Sequence, residues 1–290
     1  MRIDQLLAAG PTRSFEFFPP KSDEELATLS STLHDLEKLS PSFVSVTYRG
    51  GRESRQRTFD LVTDIERDGH LVTMAHLICV GHRRDEMREI LENYRSAGVR
   101  NVMALGGDIP DDPELVASDF IHAIDLVEMA REVGDFSIGV AAHPSGHPRS
   151  KDMASDRRHL AAKLERADFA VTQFFFERRD WTTLVGELAE LGVTKPVLPG
   201  IMPVTTLAGV ARMAQMGAAV PRSLIERLEV AQLSGGANAV RAEGVAAATE
   251  LCRELLDAGA PGLHFYTLNR STATREIHEA LYGADGVRRP

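Results

Sequence analysis

The chain has 290 residues, 43% of them hydrophobic, so it can form one large α/β barrel or two ordinary domains and bury a sizeable core. Its formal net charge of −9 repels phosphate backbones, which argues against nucleic acid as a main partner. The two cysteines are too few for a disulfide framework, and no apolar run approaches the roughly 20 residues that span a bilayer, so we expect a soluble, cytoplasmic protein without a membrane partner.

Short apolar runs alternate with longer amphipathic stretches along the chain, which predicts alternating strands and helices. Eight runs are predicted to be strands: residues 13–18, 43–48, 71–79, 101–105, 136–142, 169–175, 196–201 and 262–266. Helices are predicted between them, among others over residues 85–97, 118–133, 157–166 and 181–191. Ser22, which is followed by three acidic residues, is predicted to cap the helix after the first strand.

The predicted strands are apolar along almost their whole length, as parallel strands covered by helices are. Eight strand–helix units predict an α/β fold, a closed (β/α)8 TIM barrel, with residues 1–290 as a single domain. An open, doubly wound sheet is the competing architecture, but no G-x-G-x-x-G pattern follows an early strand. A long insert of extra helices, residues 205–258, is expected between strands seven and eight.

Polar residues at the ends of the predicted strands are the candidates for chemistry, because the active site of such a barrel lies at the C-terminal ends of its strands. The first strand ends in Phe15-Glu16-Phe17-Phe18. A carboxyl group among three phenylalanines would be partly desolvated, and desolvation favours the neutral acid that can donate a proton. The competing interpretation, in which Glu16 simply pairs with a basic residue, stays open.

Other residues near strand ends have a plain structural interpretation beside the functional one. His143 and His147 have the spacing of two metal ligands, but the proline after each argues against one helical face, and no metal site is predicted. The pair Gly106-Gly107 is compatible with a tight turn alone. His264 lies within a strand and is expected to be a hydrogen-bonded core histidine.

Eight segments, taken in chain order, resemble the methylenetetrahydrofolate reductase family in its bacterial type. They are SFEFFPPK (14–21), FVSVTY (43–48), AHLICVG (75–81), ALGGD (104–108), HPSGHP (143–148), TQFFF (172–176), LPGIMPV (198–204) and HFYTLNRS (264–271). The matches fall at predicted strand ends, and the likeness extends from residue 14 to about residue 281. The resemblance implies a barrel enzyme that reduces 5,10-methylenetetrahydrofolate to 5-methyltetrahydrofolate with NAD(P)H, of which NADH is favoured.

The resemblance also implies roles for particular residues. Glu16 matches the general acid that protonates the leaving nitrogen as the imidazolidine ring opens, and Asp108 matches a catalytic acid that hydrogen-bonds the pterin. The matches to substrate-binding residues are Thr47, Gln173, Met213, Tyr266 and Arg270. The matches to residues that hold FAD in relatives are His76, Gly107, Ala141, His143, His147, Asp156, His159 and Lys163, the last as a partner of the diphosphate.

The departures from the family pattern lie at the flavin positions. Gly106 stands where the family has arginine, His143 where it has tyrosine, and Val116 where it has an aromatic residue. Arg49 replaces a small residue after the second strand. Two alternatives follow: FAD binds through altered contacts, or NAD(P)H passes its hydride directly to the folate iminium. A non-catalytic folate- or nucleotide-binding paralogue is a further alternative, and a homo-oligomer stays as open as a monomer.

Overall fold

The computed structural model describes residues 1–48, 52–107 and 119–283. Its strands are β1 (Thr12–Phe17), β2 (Phe43–Val46), β3 (Thr73–Ile78), β4 (Asn101–Leu105), β5 (Ser137–Ala142), β6 (Phe169–Thr172), β7 (Val197–Leu198), β8 (Gly200–Ile201) and β9 (Gly262–Tyr266). Its helices are α1 (Ile3–Ala9), α2 (Asp23–Glu37), α3 (Arg52–Asp68), α4 (Arg84–Ser96), α5 (Ala123–Val133), α6 (Met153–Arg166), α7 (Arg178–Glu190), α8 (Leu207–Gln215), α9 (Arg222–Asp257) and α10 (Thr272–Tyr282).

The strands form one parallel sheet in the order β7-β6-β5-β4-β3-β2-β1-β9-β8. The two outermost strands, β7 and β8, are consecutive in the chain, so the sheet curls round into a nearly closed barrel. Helices flank the sheet, and the predicted TIM-barrel fold is confirmed. Within the described ranges, no helix combines the length and the apolar character that crossing a bilayer requires.

The seventh predicted strand, residues 196–201, is divided in two. Its first half, β7, pairs with β6, and its second half, β8, pairs with β9. Pro199 lies between them and has no N–H to donate to a neighbouring strand, while its carbonyl oxygen accepts from the His264 N–H at 3.0 Å. The continuous strand predicted from the sequence therefore changes partners at Pro199, where the barrel closes.

The helical predictions hold except at some of their ends. Ser22 caps α2 as predicted, because its side chain accepts from the Glu25 N–H at 3.3 Å. The predicted insert consists of α8 and α9, and α9 bends at Gly236, whose φ is 65°. The helix predicted over 118–133 begins only at Ala123, since His122 has the extended backbone of a capping residue.

Successive residues of each strand face opposite sides of the sheet. One set, which includes Phe15 and Phe17 of β1, packs in the large core between the sheet and the helices. The other set fills the barrel interior with an apolar cluster: Phe43, Met74, Met103, Phe169, Val171 and Leu198, closed by Ile3. Glu16 lies between Phe15 and Phe17, so its side chain belongs to the interior set.

Helix α1 closes the barrel at the amino ends of the strands. Ile3 is fully buried there, and its N–H donates to Asn101 Oδ1 at 2.8 Å. The next N–H, that of Asp4, donates to Ser137 Oγ at 3.0 Å. These are N–H groups of the first helical turn, which have no partner within the helix. The carboxyl ends of the strands, where chemistry is expected, lie at the opposite end of the barrel.

Candidate active site

Glu16 is the next-to-last residue of β1, so it lies at the carboxyl end of the barrel, with a side chain that is only 9% exposed. In the sheet it is level with Ser45 of β2 and Tyr266 of β9. Its Oε2 is 3.3 Å from Nε2 of His264 and 3.5 Å from Nε2 of His76. The candidate acid is therefore nearly buried and faces two imidazole rings.

Two of the three phenylalanines predicted to surround this carboxyl group face away from it, although the group is nearly buried. Phe15 and Phe17 alternate with Glu16 along β1, so their rings pack on the helix side of the sheet. The alternative was that a basic side chain neutralises Glu16. Among the described residues, no lysine or arginine forms an ion pair with it. The ion-pair distances of Glu16 within these residues join it to histidines alone.

His264 is buried and hydrogen-bonded, as predicted for a core histidine, but one of its partners is the candidate acid. Its Nδ1 is 2.8 Å from Ser14 Oγ, on the strand that carries Glu16. Its ring stacks on Phe43 with centroids 6.1 Å apart and meets Tyr266 edge-on at 5.4 Å. These contacts hold the imidazole so that Nε2 points at Glu16.

His76 and Thr47 present polar atoms that lack a partner. Nε2 of His76 and Oγ1 of Thr47 are buried and, in the described chain, make no hydrogen bond. Burial lowers the pKa of His76, although the charge of Glu16 acts in the opposite direction, so the ring stays neutral near physiological pH. Buried polar atoms are nearly always hydrogen-bonded. Ser45 Oγ, on the residue level with Glu16, is a third such atom, and all three are candidates for contact with a ligand.

Tyr266 lies across the barrel mouth from β9 to β6, with its hydroxyl donating to the Thr172 carbonyl oxygen at 2.7 Å. Burial, reinforced by the charge of Glu16, raises the pKa of this hydroxyl well above its ordinary value, so the phenol keeps its proton. Gly200 makes the arrangement possible, because a Cβ at that position would collide with the Thr172 oxygen and the Tyr266 ring. Tyr266 is thus a fixed wall of the site.

Gln173 and Met213, two predicted substrate contacts, lie on the same side of the barrel mouth as Tyr266. Gln173 Nε2 donates to the carbonyl oxygen of Met216, which caps α8, at 3.2 Å. Met213 of α8 is buried in an apolar cluster with Phe174, and Tyr266 packs against that cluster. Tyr266, Gln173 and Met213 therefore share one side of the barrel mouth.

Arg270 is in a different place, in a cleft of about 970 Å³ between the loops that follow β1 and β9. The charged residues of the cleft are Lys21, Glu24, Glu25, Arg57 and Arg270. The two carboxylates offset most of the positive charge, so the cleft has only a small excess of cations. Phe18, which directly follows β1, connects the cleft to the strand that carries Glu16.

The loop after β9 is hydrogen-bonded to the end of β1. Thr267 Oγ1 donates to the Glu16 carbonyl oxygen at 2.6 Å. The Asn269 side chain accepts from the Phe18 N–H at 2.8 Å and donates to the Phe18 carbonyl at 2.9 Å. Asn269 has a φ of 58°, a left-handed conformation that asparagine adopts more readily than most residues. Thr267 and Asn269 fix the backbone from Glu16 to Phe18, a role that sequence reasoning did not find.

The loop after β5 is organised by Arg157, which the sequence analysis did not single out. Its buried guanidinium donates to the carbonyl oxygens of His143, at 2.9 Å, and Pro144, at 2.7 Å. It also donates to Asp156 Oδ2 at 2.7 Å, and Asp156 Oδ1 accepts from the His147 N–H at 2.9 Å. Burial, followed by the neighbouring charge of His147, lowers the pKa of His143 to about 4. The His143 imidazole is therefore neutral.

Within the described residues, the two histidines of this loop are not part of a larger ligand set. The rings of His143 and His147 meet edge-on with centroids 4.8 Å apart. No group of three or more histidine, cysteine, aspartate or glutamate side chains in the described part of the chain is arranged to hold a metal ion.

The other predicted flavin contacts lie on α6 and at the end of β5. Lys163 Nζ donates to the Ala141 carbonyl oxygen at 3.0 Å, and burial lowers the pKa of its ammonium group. His159 is exposed on α6, three residues after Asp156 and four before Lys163. The helix therefore places these three side chains along one face.

The guanidinium of Arg149 lies beside Gly106, the position at which the family pattern has arginine. Its Nη2 would be 3.7 Å from a Cβ on Gly106, and it donates to the Gly107 carbonyl oxygen at 3.0 Å. Gly107 has a φ of 85°, and a Cβ there would collide with Ile78. The loop after β5 thus supplies a cation beside β4 that the sequence analysis had counted as lost.

Two charged side chains that the family pattern assigns to FAD make hydrogen bonds within the protein. Asp156 accepts from His147, Ser150 and Arg157, so both of its carboxylate oxygens are engaged by the protein. The ammonium group of Lys163 is directed at Ala141. The two charged side chains expected at the cofactor therefore serve internal bonds. Asp108, Val116 and Arg49 lie outside the described residues.

Comparison with known proteins gives this arrangement a context. The methylenetetrahydrofolate reductase family model matches residues 2–282. The chain belongs to this family. A 5,10-methylenetetrahydrofolate reductase of Pectobacterium carotovorum is 34% identical over 277 residues, which cover 95% of this chain and 90% of the relative. Methylenetetrahydrofolate reductase (NADH) 1 of Arabidopsis thaliana is 33% identical over 92% of this chain and 48% of the relative.

One solved structure illustrates how widely the fold of this methylenetetrahydrofolate reductase-family chain occurs. An uncharacterized protein from Clostridium thermocellum, which binds two copies of 5-methyl-5,6,7,8-tetrahydrofolic acid, superposes with a TM-score of 0.67. The superposition covers 94% of this chain and 96% of the other at 12% sequence identity. At that identity the likeness establishes the shared barrel.

Proposed function

We propose that this chain reduces 5,10-methylenetetrahydrofolate to 5-methyltetrahydrofolate with a reduced nicotinamide coenzyme as the hydride donor. The family and the names of the Pectobacterium and Arabidopsis relatives support the reaction and the donor. The observation that carries the proposal is the position of Glu16, a nearly buried carboxyl group at the carboxyl end of the barrel that faces two histidines.

Glu16 is the general acid of the proposed reaction. The five-membered ring of the substrate must open before reduction, which requires a proton on the leaving nitrogen. In this step the O–H bond of Glu16 breaks, an N–H bond forms, and the bond from the methylene carbon to that nitrogen breaks. The lone pair of the other nitrogen then forms the iminium double bond. A positioned acid of this kind typically contributes 10²–10⁴-fold to the rate.

The neighbours of Glu16 suit this role because they do not compete for it. His76 is neutral, so it supplies no positive charge that would hold Glu16 ionised. The unpaired atoms of His76 and Thr47 and the amide of Gln173 are the polar groups that we assign to the folate. Asp108, next to Gly107 in sequence, is the proposed partner of the pterin ring.

The hydride passes directly from the nicotinamide to the methylene carbon of the iminium in the proposed reaction. The engagement of Asp156 and Lys163 by protein groups supports a site that does not depend on FAD. Direct transfer requires the two rings to stack with the reacting carbons about 3–3.5 Å apart. NADH is the coenzyme to test first, and NADPH is the comparison.

Deuterium transfer tests this step. Turnover is run with NADH carrying deuterium on the transferred side of C4, and the 5-methyltetrahydrofolate is analysed by mass spectrometry. Direct transfer predicts one deuterium in the methyl group of every product molecule, from protein whose visible spectrum shows no flavin band. A flavin would pass the hydride through a nitrogen whose hydrogen exchanges with water. Yellow protein whose product has lost deuterium to solvent would overturn direct transfer and favour FAD.

A further inference from the structure

A second polar network lies between the carboxyl ends of β2 and β3 and the helices α3 and α4. The Tyr48 hydroxyl, two residues after β2, is 2.9 Å from Nε2 of His82 in the loop after β3. Nδ1 of the same ring is 3.0 Å from Oε2 of Glu86 in the first turn of α4. Arg55 of α3 forms an ion pair with the other oxygen of Glu86. Tyr48 and His82 are only 6% and 7% exposed, so the contact between phenol and imidazole is buried.

The charges of this network suit its hydrogen bonds. Burial raises the pKa of Glu86, but the hydrogen bonds and charges of Arg55 and His82 outweigh it and lower the pKa to about 2. Glu86 is therefore an ionised acceptor for Nδ1–H of His82 at neutral pH. Burial raises the pKa of Tyr48, so its phenol keeps its proton. A phenol can donate to a bare Nε2 or accept from Nε2–H, so the contact persists in both charge states of His82.

Tyr48 directly follows Thr47, whose buried Oγ1 makes no hydrogen bond in the described chain. Thr47 continues the ladder of the sheet, because its N–H donates to the Phe17 carbonyl oxygen at 2.9 Å. Successive side chains therefore alternate, so Tyr48 extends toward the helices and Thr47 toward the barrel interior. The Thr47 carbonyl oxygen accepts from Thr58 Oγ1 at 3.0 Å. The contact of Tyr48 with His82 fixes the chain one residue further on.

The main chain of His82 is itself fixed by neighbouring loops. Its N–H donates to the Cys79 carbonyl oxygen at 3.3 Å, and its carbonyl oxygen accepts from the Asp119 N–H at 3.1 Å. Asp119 lies four residues before α5, and its carboxylate accepts from the Arg84 N–H at 2.9 Å. His82 therefore joins the loops after β2, β3 and β4, and its imidazole is a fixed anchor for Tyr48.

We propose that His82 is a positioning residue for the folate, because it fixes the Thr47 hydroxyl through Tyr48. This inference rests on the proposed function, in which Thr47 contacts the substrate. With the Tyr48 hydroxyl held, the direction of the chain beyond β2 is set, and the Thr47 hydroxyl keeps its place in the barrel mouth. Without that contact the end of β2 shifts, and the hydroxyl meets the ligand at a poorer distance and angle. The effect falls on folate affinity and leaves the acid and the hydride donor unchanged.

Two amide substitutions separate the two ends of the imidazole ring. The amide of glutamine reaches about as far as Nε2 of histidine, and that of asparagine about as far as Nδ1. His82→Gln therefore keeps the contact with Tyr48 and loses that with Glu86, whereas His82→Asn does the reverse. We expect His82→Asn to raise the KM for methylenetetrahydrofolate roughly tenfold, the upper range for one hydrogen bond between neutral groups. Its kcat and its KM for NADH should stay near wild type, and His82→Gln should keep the wild-type KM for folate.

Coupling between variants tests whether the effect passes through Tyr48 and Thr47. Tyr48→Phe removes the same contact from its other side and should match His82→Asn, with no further loss in the double variant. Thr47→Val removes the hydroxyl that is positioned, so His82→Asn should not weaken folate binding further in that background. His70→Asn, at an exposed position after α3, is the control and should behave as wild type. Equal folate affinities in His82→Gln and His82→Asn, or a full effect of His82→Asn in Thr47→Val, would overturn the proposal.

Binding measurements separate this proposal from the proposed reaction. Isothermal titration calorimetry with 5-methyltetrahydrofolate gives the affinity without turnover, and the denaturation midpoint of each variant is measured beside it. His82→Gln and His82→Asn each lose one contact, so a purely structural role would lower both midpoints without separating the two affinities. If the wild type fails to oxidise NADH with methylenetetrahydrofolate but the affinities separate, the reaction is refuted and the positioning role stands. If the wild type turns over and the affinities are equal, the positioning role alone is refuted.

Discussion

At the scale of single residues, Glu16→Gln removes the proton that the proposed mechanism needs while keeping nearly the same side-chain shape. We expect turnover to fall by roughly 10²-fold or more, as loss of a positioned acid predicts. The dissociation constants of NADH and methylenetetrahydrofolate, measured by fluorescence titration, should stay within a few-fold of wild type. Glu89→Gln, at an exposed position of α4, is the control and should be silent. Unchanged turnover in Glu16→Gln would instead favour the non-catalytic paralogue.

Arg149 gives a second prediction at this scale. Its guanidinium lies beside Gly106 and Gly107 at the end of β4, where a dinucleotide diphosphate would find a cation. A hydrogen bond to a charged group is typically worth about 1.5–3 kcal/mol, so Arg149→Ala should weaken NADH binding roughly ten- to a hundredfold. Isothermal titration calorimetry measures this without turnover, and Arg158→Ala, at an exposed position of α6, serves as the control. Equal affinities in the two variants would exclude a role for Arg149.

The candidate site was only partly predictable at the level of residues. Glu16 could be found because it is the one acidic residue of the first strand and lies near its carboxyl end. Its true neighbours could not, because His76 and His264 approach it from β3 and β9, and sequence spacing does not tell which side chains meet inside a barrel. The same holds for Arg149, whose contact with Gly107 joins two loops 42 residues apart.

At the scale of secondary structure, the closure of the barrel depends on a residue without a side chain. Gly200 of β8 lies against the Thr172 carbonyl oxygen and the Tyr266 ring, so Gly200→Ala must push one of them away. Overpacking of this kind typically costs about 1–3 kcal/mol in the free energy of unfolding. We expect a lower denaturation midpoint together with a raised KM for folate, because Tyr266 forms a wall of the site.

Gly186→Ala is the matched control for that substitution. Gly186 lies in α7 with nothing within 4 Å of the added Cβ, so alanine should stabilise the helix by up to about 1 kcal/mol. If Gly200→Ala were as stable and as active as Gly186→Ala, the close packing at the closure of the barrel would be irrelevant to the site.

The positions of the strands and helices in the sequence were more predictable than the pairing between strands. Apolar runs located every strand of the barrel, since parallel strands are covered on both faces. The break at Pro199 was missed because a proline near a strand end is compatible with continuity as well as with a change of partner. The start of α5 was placed too early because polar residues before a helix do not by themselves mark its first turn.

At the scale of the whole molecule, the two ends of the barrel have separate tasks. The amino end is closed by α1, while Glu16, Tyr266 and Gln173 lie at the carboxyl end. The sequence predicted that the site lies at the carboxyl end, because the family motifs cluster at strand ends. It did not predict the closure by α1, whose seven residues are too few for a clear helical periodicity.

Ile3→Ala tests this division between stability and function. Ile3 is fully buried at the amino end, and truncating such a side chain typically costs about 2–5 kcal/mol in the free energy of unfolding. Below the unfolding transition, kcat and KM should remain close to wild type, because the substitution lies at the end of the barrel away from Glu16. Ile121→Ala makes the same change at a residue that is 79% exposed and should affect neither quantity. If Ile3→Ala raised KM strongly at temperatures where the protein is fully folded, the two ends of the barrel would be coupled, and the separation argued here would fail.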